Sequence, residues 1–418
     1  MKFVHAADLH LDSPLTGLER YEGAPVEQIR RASRRALGNL VDLCIGEGAA
    51  LLVIAGDVFD GDWRDYATGL FFASQMARLQ QADVRVVWIR GNHDAACRVT
   101  KHLVLPGVHE LPCDAPGSVV FEELGVVVHG QGFATQAVTR DLSAAYPEPV
   151  AGAFNIGLLH TALDGMEGHA PYAPCKAEAL VNKGYEYWAL GHVHQHTVVT
   201  REPWLVFPGN LQGRNVRETG AKGAVLVTLE HGRVQNLEHR ALDVARYAVC
   251  RIDAAGASST DEVVERVLRQ LEGEASACDG RLLAARIVLE GTTRAHRALV
   301  VEQEQVREQI RSAAMYLRDG QVWIEKVLFA TRAEVDFAAL RARDDAIGEL
   351  SQALVDLRAS PEQLETLFAE LGDLKHRLPS ELGRELERSL FADVAAQRRV
   401  LDDVEQLLLP RLLAGDDA

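Results

Sequence analysis

The sequence has few cysteines for its length, and they are scattered. Six cysteines occur in 418 residues, and no two of them form a Cys-x-x-Cys pair. A long chain with isolated cysteines is expected to keep its thiols reduced, so we predict neither a disulfide framework nor a zinc knuckle. The cysteines are Cys44, Cys97, Cys113, Cys175, Cys250 and Cys278.

Long apolar runs are missing too. No stretch reaches the roughly eighteen consecutive apolar residues that a membrane-spanning helix needs. Residues 1–5 lead directly into a predicted strand, and no charged segment with an apolar stretch precedes them, which argues against a secretory signal. These absences predict a cytoplasmic protein without a membrane partner.

Positive charge is in short supply. Lysine and arginine together number 44 against 60 aspartates and glutamates, which gives a formal net charge of −16. Binding to a phosphate backbone favours a positive surface, so this charge argues against nucleic acid as a partner. It does not exclude DNA, because bound metal ions supply local positive charge and arginines can cluster on one face.

Short apolar runs alternate with amphipathic segments over the first half of the chain. Residues 50–55 form a continuous apolar run before Gly56, as in a strand that is buried on both faces. Residues 26–47 carry apolar side chains at helical spacing. The pattern predicts an α/β fold with helices outside packed sheets.

The pattern changes twice after this part. Three predicted strands alternate with helical stretches in a small α/β domain, and a purely helical region rich in leucine follows. The predicted domains are residues 1–242, 243–335 and 336–418. The strands of the second domain are predicted at residues 249–252, 284–289 and 322–327.

Polar residues follow five predicted strands of the first domain. Ligands gather beyond the carboxyl ends of the strands in α/β sheets, so the five loops are expected to converge on one pocket. Each motif alone is common as a turn or a structural histidine, but the ordered set indicates one site. The motifs are Asp8-x-His10, Gly56-Asp57, Gly91-Asn92-His93-Asp94, His160 and Gly191-His192-x-His194.

These residue types suit a pair of divalent metal ions. Hydrolysis of a phosphodiester needs an activated water and neutralisation of charge on the phosphate oxygens, and two cations about 3.5–4 Å apart provide both. Mixed imidazole and carboxylate ligands favour manganese, iron or zinc over ions that prefer oxygen alone. We expect two divalent ions, manganese first, with iron, magnesium and zinc as alternatives.

The motif series resembles that of the calcineurin-like metallophosphoesterases. The resemblance implies a two-sheet sandwich flanked by helices and a metal-bound hydroxide as the nucleophile. It also implies that Asp57 bridges the ions, that His93 assists catalysis beside the scissile phosphate, and that Asp94 orients His93. A turn cap without a catalytic part is the alternative for Asp94. The implied ligands are Asp8, His10, Asp57 and His194 for the first metal, and Asp57, Asn92, His160 and His192 for the second.

The chain also resembles the SbcD-type DNA repair nucleases and, within them, the bacterial YhaO-like branch. The resemblance is strong over the first domain, moderate over the second, and limited to position and composition in the helical tail. The residues that carry this resemblance are 8–15, 61–66, 172–175, 208–214, 217–220 and 222–223. It implies metal-dependent hydrolysis of DNA, a capping middle domain, and docking of the C-terminal helices on an SbcC-like or YhaN-like coiled-coil ATPase. Family members often dimerise through helices of the catalytic domain, so a homodimer is implied as well.

One position departs from the better-known nucleases. Asp60 stands three residues after Asp57, where those proteins carry a histidine, and a carboxylate there is expected to repel a phosphate. Processive 3′→5′ exonuclease activity is therefore not carried over, while the metal pair and hydrolysis are. Four basic residues are expected to contact the phosphate backbone, with solvated or structural charges as the alternative. They are Arg90, Arg214, Arg217 and Lys222.

The C-terminal leucines fall at helical spacing in two stripes. Such stripes close a bundle within the chain or dock on another chain, and both alternatives stay open. The first stripe comprises Leu350, Leu354, Leu357, Leu364, Leu367 and Leu371, and the second comprises Leu382, Leu386, Leu390, Val394, Leu401, Val404 and Leu408.

Two other functions remain as alternatives to a DNA nuclease. The substrate could be a small phosphodiester or a phosphoprotein, although small-substrate enzymes seldom need the additional domains. The chain could also be a metal-stabilised, non-catalytic scaffold for an ATPase, although the full ligand set and His93 argue against it.

Overall fold

The computed structural model describes residues 1–14, 23–60, 66–97, 105, 107–164, 172–334, 337–370 and 393–416. Four features named above therefore lie outside the described residues. They are Leu15, residues 61–65, Leu371 and the leucines of the stretch 382–390.

The described strands form three sheets. Their order is β12-β11-β1-β2-β3-β4 in the first, β5-β6-β7-β8-β10-β9 in the second and β13-β14-β15 in the third. In chain order, the strands are β1 Lys2–Ala6, β2 Leu51–Ala55, β3 Arg85–Ile89, β4 Val108–Glu110, β5 Gly117–Phe121, β6 Val126–Gly130, β7 Phe154–His160, β8 Tyr187–Gly191, β9 Thr197–Arg201, β10 Trp204–Phe207, β11 Gly223–Glu230, β12 Arg233–Ala241, β13 Ala245–Asp253, β14 Leu282–Thr293 and β15 Val322–Ala333.

Helices connect and follow these strands. None of the helices in the described ranges combines the length and the apolar character that a membrane span requires. In chain order, the helices are α1 Val26–Arg30, α2 Ala32–Gly46, α3 Ala67–Gln81, α4 Asn92–Ala96, α5 Ala177–Asn182, α6 Thr260–Ala277, α7 His296–Val301, α8 Gln303–Ala314, α9 Phe337–Arg341, α10 Ala346–Ala359, α11 Pro361–Glu370 and α12 Val394–Asp416.

The first two sheets pack face to face and are covered on their outer faces. Phe3 and Val53 of the first sheet share a buried cluster with Ile156 and Tyr187 of the second. On the opposite face of the first sheet, Leu52 packs with residues of α2 and α3. Because both faces of β2 are buried, its sequence is continuously apolar and does not alternate. The fold is thus the predicted α/β arrangement of two sheets flanked by helices.

Parallel pairing brings several strand ends to one edge. In the first sheet β1, β2, β3 and β4 are parallel neighbours, while β11 and β12 extend the sheet in antiparallel fashion. In the second sheet β6, β7, β8 and β10 are parallel neighbours. The residues that follow β1, β2, β3, β7 and β8 therefore have the placement that the sequence motifs require.

The chain divides into two compact units. The first comprises residues 1–250, 269–287 and 311–326, and the second comprises residues 251–268, 288–310 and 327–418. Each of the three strands predicted for the middle of the chain lies within an observed strand, namely β13, β14 or β15. The domain limits at residues 242 and 335 stay predictions.

The C-terminal helices pack on one another within the second unit. Leu354 of α10, Leu364 and Phe368 of α11, and Leu401 of α12 form one buried cluster. Leu350 and Leu357 pack against that cluster. Leu350, Leu354, Leu357 and Leu364 of the first leucine stripe therefore pack within the chain.

Candidate metal centre and active site

The loops after the strands converge through backbone hydrogen bonds. The amide of Asp8 donates to the carbonyl of Gly56 at 3.0 Å, and the amide of His10 donates to the carbonyl of Asp57 at 3.0 Å. The amide of His93 donates to Asp57 Oδ1 at 2.9 Å. The structure thus brings the predicted motifs together at one edge of the sandwich.

Four of the seven predicted metal ligands have left-handed backbone conformations. The φ angles are 52° at Asp8, 44° at His10, 52° at Asp57 and 99° at His192. Non-glycine residues rarely adopt such angles, and each costs about 1–3 kcal/mol unless the surroundings enforce it. This concentration of strain at the predicted ligands marks the edge as a functional site.

Two glycines of the motifs are required by close approach. A Cβ atom on Gly91 would overlap the Asp57 carboxylate, and one on Gly191 would overlap the carbonyl oxygen of Ala55. The loops can therefore pack closely enough to bring their side chains together only if these positions lack a side chain.

The predicted ligands of the first metal surround a common point. His10 Nε2 lies 3.3 Å from His194 Nε2 and 4.0 Å from both Asp8 Oδ1 and Asp57 Oδ2. Asp8 Oδ1 lies 3.7 Å from His194 Nε2. Atoms that each sit about 2.0–2.2 Å from one ion are separated by distances of this order.

The predicted ligands of the second metal adjoin the first group through Asp57. Its Oδ2 atom lies 3.5 Å from His160 Nε2, which lies 3.0 Å from Asn92 Oδ1. The ring of His192 stands 5.2 Å from the ring of His160, and its backbone amide donates to Asp8 Oδ2 at 3.0 Å. Asp57 therefore lies between the two groups, at the position that a bridging ligand would need.

The hydrogen-bond partners of the histidines show that a cation fits this site. His160 Nδ1 is 2.9 Å from the carbonyl oxygen of Ala55, and His194 Nδ1 is 2.8 Å from Glu218 Oε1. His160 Nδ1 must carry the proton that the Ala55 carbonyl accepts, so His160 Nε2 presents a lone pair to the site. With a metal ion bound, His194 would likewise keep its proton on Nδ1 and present Nε2 to the ion. The lone pair of His160 then faces the Asn92 oxygen at 3.0 Å. Two acceptors this close repel each other unless a positive ion lies with them.

Burial and charge act in opposite directions on the ionisable groups. Burial raises the pKa of Asp57, and the neighbouring charge of Asp8 raises it further. Although burial alone would lower the pKa of His194, its contacts with Asp8 and Glu218 raise the pKa to about 9. The two buried carboxylates are thus balanced by an imidazolium, the role that a metal ion is suited to take over.

His93 is placed as the imidazole of the centre nearest to solvent. Its side chain is 36% exposed, whereas the side chains of His10 and His160 are buried. Its ring stands 4.9 Å from the ring of His10. His93 Nδ1 lies 2.7 Å from Asp60 Oδ1, and this hydrogen bond raises the pKa of His93 above its usual range.

For Asp94, the structure favours the turn cap over the orienting role. Its buried carboxylate accepts hydrogen bonds from the backbone amides of Gly91 at 3.0 Å, Val58 at 3.2 Å and Phe59 at 2.8 Å. Burial and the charge of Asp57 raise the pKa of Asp94 to about 7. Asp94 thus braces the loops that carry Asp57 and Asn92, and the carboxylate that orients His93 is Asp60.

Asp60 was expected to repel a phosphate, but its charge is compensated. Its carboxylate accepts hydrogen bonds from Ser13 Oγ at 2.5 Å and from Arg214 Nη1 at 3.2 Å, besides its contact with His93. Burial opposes ionisation, yet these groups lower the pKa of Asp60 to about 2. The carboxylate is therefore a fixed acceptor within the site.

Of the four residues predicted to contact phosphate, one is exposed and three have partners within the protein. The side chain of Arg217 is exposed, as a phosphate contact requires. Lys222 is buried and donates to the carbonyl oxygen of His194 at 2.7 Å, so its predicted role is wrong. Arg90 pairs with Glu110 at 2.6 Å, and Arg214 pairs with Asp60 and Glu218. The structural alternative therefore describes three of the four.

Sequence reasoning missed Glu218. It lies between His194 and Arg214, with its Oε1 atom 2.8 Å from His194 Nδ1 and 2.8 Å from Arg214 Nη2. The sequence offers one signal, a carboxylate four residues after an arginine, but that spacing is common on many surfaces.

Two family models match parts of the chain. One, described as calcineurin-like phosphoesterase, matches residues 1–196, and another, described as metallophosphoesterase YhaO middle domain, matches residues 247–332. The chain is 32% identical to the uncharacterized metallophosphoesterase YhaO of Bacillus subtilis strain 168. The alignment extends over 299 residues and covers 70% of this chain and 72% of that protein.

A second relative and a solved structure are also similar to parts of the chain. The chain is 26% identical to the DNA double-strand break repair protein Mre11 of Methanopyrus kandleri. The alignment extends over 307 residues and covers 64% of this chain and 63% of that protein. A dimetal phosphatase from Danio rerio matches 55% of this chain and 93% of its own, with 13% identity and a TM-score of 0.33. That structural likeness is too slight to support an argument.

Proposed function

Since the chain belongs to the calcineurin-like phosphoesterase family, a family of metal-dependent hydrolases, we propose that it hydrolyses phosphodiester bonds in DNA. The observation that carries the proposal is the position of Asp57 Oδ2, which lies 4.0 Å from His10 Nε2 and 3.5 Å from His160 Nε2, with the partly exposed ring of His93 beside it. Two ions and an imidazole at their edge are the parts that phosphodiester hydrolysis needs.

The chain's own residues would hold two divalent ions. Asp8, His10 and His194 would bind one ion, Asn92, His160 and His192 the other, and Asp57 both. The nitrogen-rich donor set supports manganese, with iron or zinc as alternatives, over ions that prefer oxygen alone. When bound, the ions would activate water and neutralise charge on the phosphate.

His93 would act as a general acid. Its Nδ1 atom is engaged by Asp60, which leaves Nε2 as the ring atom that can meet a leaving oxygen. The hydrogen bond to Asp60 raises the pKa of His93, so a larger fraction of the ring is protonated at neutral pH. A proton delivered to the leaving oxygen would lower the barrier to its departure.

Similarity to a DNA repair protein supports DNA as the substrate. The match to Mre11 extends over 307 residues, beyond the length of the calcineurin-like model. We also propose a coiled-coil ATPase of the SbcC or YhaN type as partner. Val404, Leu408 and Leu412 support this partner because they are four residues apart on α12 and partly exposed.

A panel of labelled DNA tests the substrate. Purified full-length chain with Mn²⁺ is incubated with single-stranded, duplex and hairpin DNA and, in parallel, with bis(p-nitrophenyl) phosphate. We expect DNA cleavage that is lost in Asp57→Ala and His93→Ala and retained in His231→Ala, a histidine on an exposed turn. Hydrolysis of the aryl diester without cleavage of any DNA form would reject DNA and favour a small phosphodiester.

A further inference from the structure

A charged bridge lies behind two histidines of the centre. Arg214 contacts two carboxylates, Asp60 and Glu218, and each carboxylate lies beside the Nδ1 atom of a predicted metal ligand. We infer that Asp60, Arg214 and Glu218 form a clamp that fixes His10 and His194 and thereby sets the metal affinity of the first site. The inference rests on the proposed two-metal function.

The contact between Glu218 and His194 fixes the ring. Glu218 Oε1 lies 2.8 Å from His194 Nδ1 and 2.8 Å from Arg214 Nη2. The arginine can only donate, so the carboxylate oxygen accepts from both partners. Arg214 Nη2 also lies 3.2 Å from His194 Nδ1, but the contact with Glu218 is shorter and keeps the proton of His194 on Nδ1. The Nε2 atom would then present its lone pair to a bound ion. A carboxylate behind a ligating histidine is known to raise metal affinity in this way.

Glu218 is itself held in place. Its Oε2 atom accepts hydrogen bonds from the backbone amide of Arg214 at 2.8 Å and from Asn210 Nδ2 at 2.9 Å. Asn210 is fully buried. With both oxygens occupied, the carboxylate cannot turn away from His194 without losing several hydrogen bonds.

The contact between Asp60 and His10 is longer. Asp60 Oδ2 lies 3.7 Å from His10 Nδ1, an atom that is buried and has no hydrogen-bond partner within the described residues. The same oxygen accepts from Arg214 Nη1 at 3.2 Å. Since 3.7 Å exceeds a hydrogen bond, we expect this arm of the clamp to contribute less than Glu218 does.

In the second metal group, His160 is held by a hydrogen bond outside the clamp. His160 Nδ1 donates to the backbone carbonyl of Ala55, a contact that does not involve Arg214 or Glu218. Loss of the clamp should therefore weaken the binding of one ion and leave the binding of the other unchanged. A general loss of structure would weaken both.

A direct contact between Arg214 and the substrate phosphate is the competing role. The Nε, Nη1 and Nη2 atoms of Arg214 already have carboxylate acceptors at 2.8–3.3 Å. Its side chain is only 20% exposed. The guanidinium is thus engaged within the protein before any substrate binds, which favours a positioning role over a substrate contact.

Calorimetric titration of the metal-free, full-length chain with Mn²⁺ tests the clamp. We compare Arg214→Gln and Glu218→Gln with the matched controls Arg233→Gln and Glu230→Gln, which alter exposed residues. In both clamp variants we expect one Mn²⁺ site to weaken about 10- to 100-fold and the other to keep its Kd. The controls should match the wild type at both sites. Titration with Co²⁺ should show a changed visible absorption band for the weakened site alone.

Three outcomes would overturn the clamp. The two Kd values could stay unchanged in both variants, or both sites could weaken equally together with a lower Tm. Arg214→Gln could also raise KM for a phosphodiester at unchanged metal affinity, which would indicate a direct contact. A wild-type chain that binds no pair of ions would instead refute the proposed function, so the two failures are distinguishable.

Discussion

Asp60→Asn tests whether the carboxylate of Asp60 assists catalysis through His93. The substitution keeps the shape of the side chain and leaves an oxygen that can face His93 Nδ1, now 2.7 Å from the carboxylate. What it removes is the negative charge. A hydrogen bond to a charged group is roughly twice as strong as a neutral one, so the loss is about 1–1.5 kcal/mol.

This loss lowers the pKa of His93, so at a pH above that pKa the protonated fraction, and kcat with it, should fall about 5- to 13-fold. The 36% exposure of His93 screens the interaction, which places the expected value near the lower end. The assay is hydrolysis of bis(p-nitrophenyl) phosphate at saturating Mn²⁺, so that altered metal affinity does not contribute. Asp42→Asn, at a solvent-exposed ion pair with Arg78, should leave kcat unchanged.

The pH profile gives an independent readout of the same contact. The hydrogen bond from Asp60 is the largest cause of the raised pKa of His93. If His93 acts as a protonated acid, kcat falls as the pH rises through that pKa. Asp60→Asn lowers the pKa, so this fall should begin at a lower pH than in the wild type.

A double variant decides whether Asp60 acts through His93. In a His93→Ala background the histidine is gone, and Asp60→Asn should then cause no further loss of kcat. An equal loss in both backgrounds, or a pH profile that does not move, would refute the reasoning.

Three further predictions concern stability and thiol chemistry. Asp94→Ala leaves three buried backbone amides without their acceptor and should lower the free energy of unfolding by about 3 kcal/mol or more in urea denaturation; a loss below about 1 kcal/mol would contradict the bracing role. Gly191→Ala should lower Tm and weaken Mn²⁺ binding because the added Cβ atom would overlap the carbonyl oxygen of Ala55. The control Gly38→Ala, at an open position of a helix, should change neither property, and equal Tm values for the two variants would contradict the predicted overlap. Burial raises the pKa of Cys44 and Cys175 to about 12. At pH 8 both thiols should therefore react with a chromogenic disulfide only after denaturation. Fast labelling of the native protein would contradict their burial.

The sequence was sufficient to predict that these residues lie close together because their positions follow a topological rule. Asp57 and His160 are distant in the chain, yet each comes at the carboxyl end of a buried parallel strand. Such ends meet at one edge, so a list of strands that end in metal-binding residue types already predicts proximity. The continuous apolar character of β2 and the apolar residues Ile156, Leu158 and Leu159 of β7 made those strands recognisable.

The partners of the histidines could not be predicted in the same way. His93 pairs with Asp60 and His194 with Glu218, and neither spacing in sequence has a rule that relates it to distance. Asp94, adjacent to His93 in the chain, was the natural expectation, but its side chain points to backbone amides. Lys222 was misjudged because lysine is rarely buried, and only the fold reveals the carbonyl that accepts its hydrogen bond.

The strands β11 and β12 were not predicted from the sequence, although a signal for them exists. They pair in antiparallel register and are joined by His231 and Gly232, both with positive φ, at 51° and 71°. Two consecutive residues in this conformation form the tight turn that matches the twist of a hairpin. Histidine is uncommon in the first position, so the His-Gly pair was a weaker signal than Asn-Gly.

The site also explains why an acidic chain can be proposed to act on DNA. The net charge of −16 counts Asp8, Asp57, Asp60 and Glu218 as though they faced solvent, but all four are directed to histidines, to Arg214 or to the metal centre. Each divalent ion adds two positive charges where a phosphate would lie. The potential that a phosphate meets is therefore set by the local balance of the centre, and the formal charge of the chain is a poor guide to its substrate.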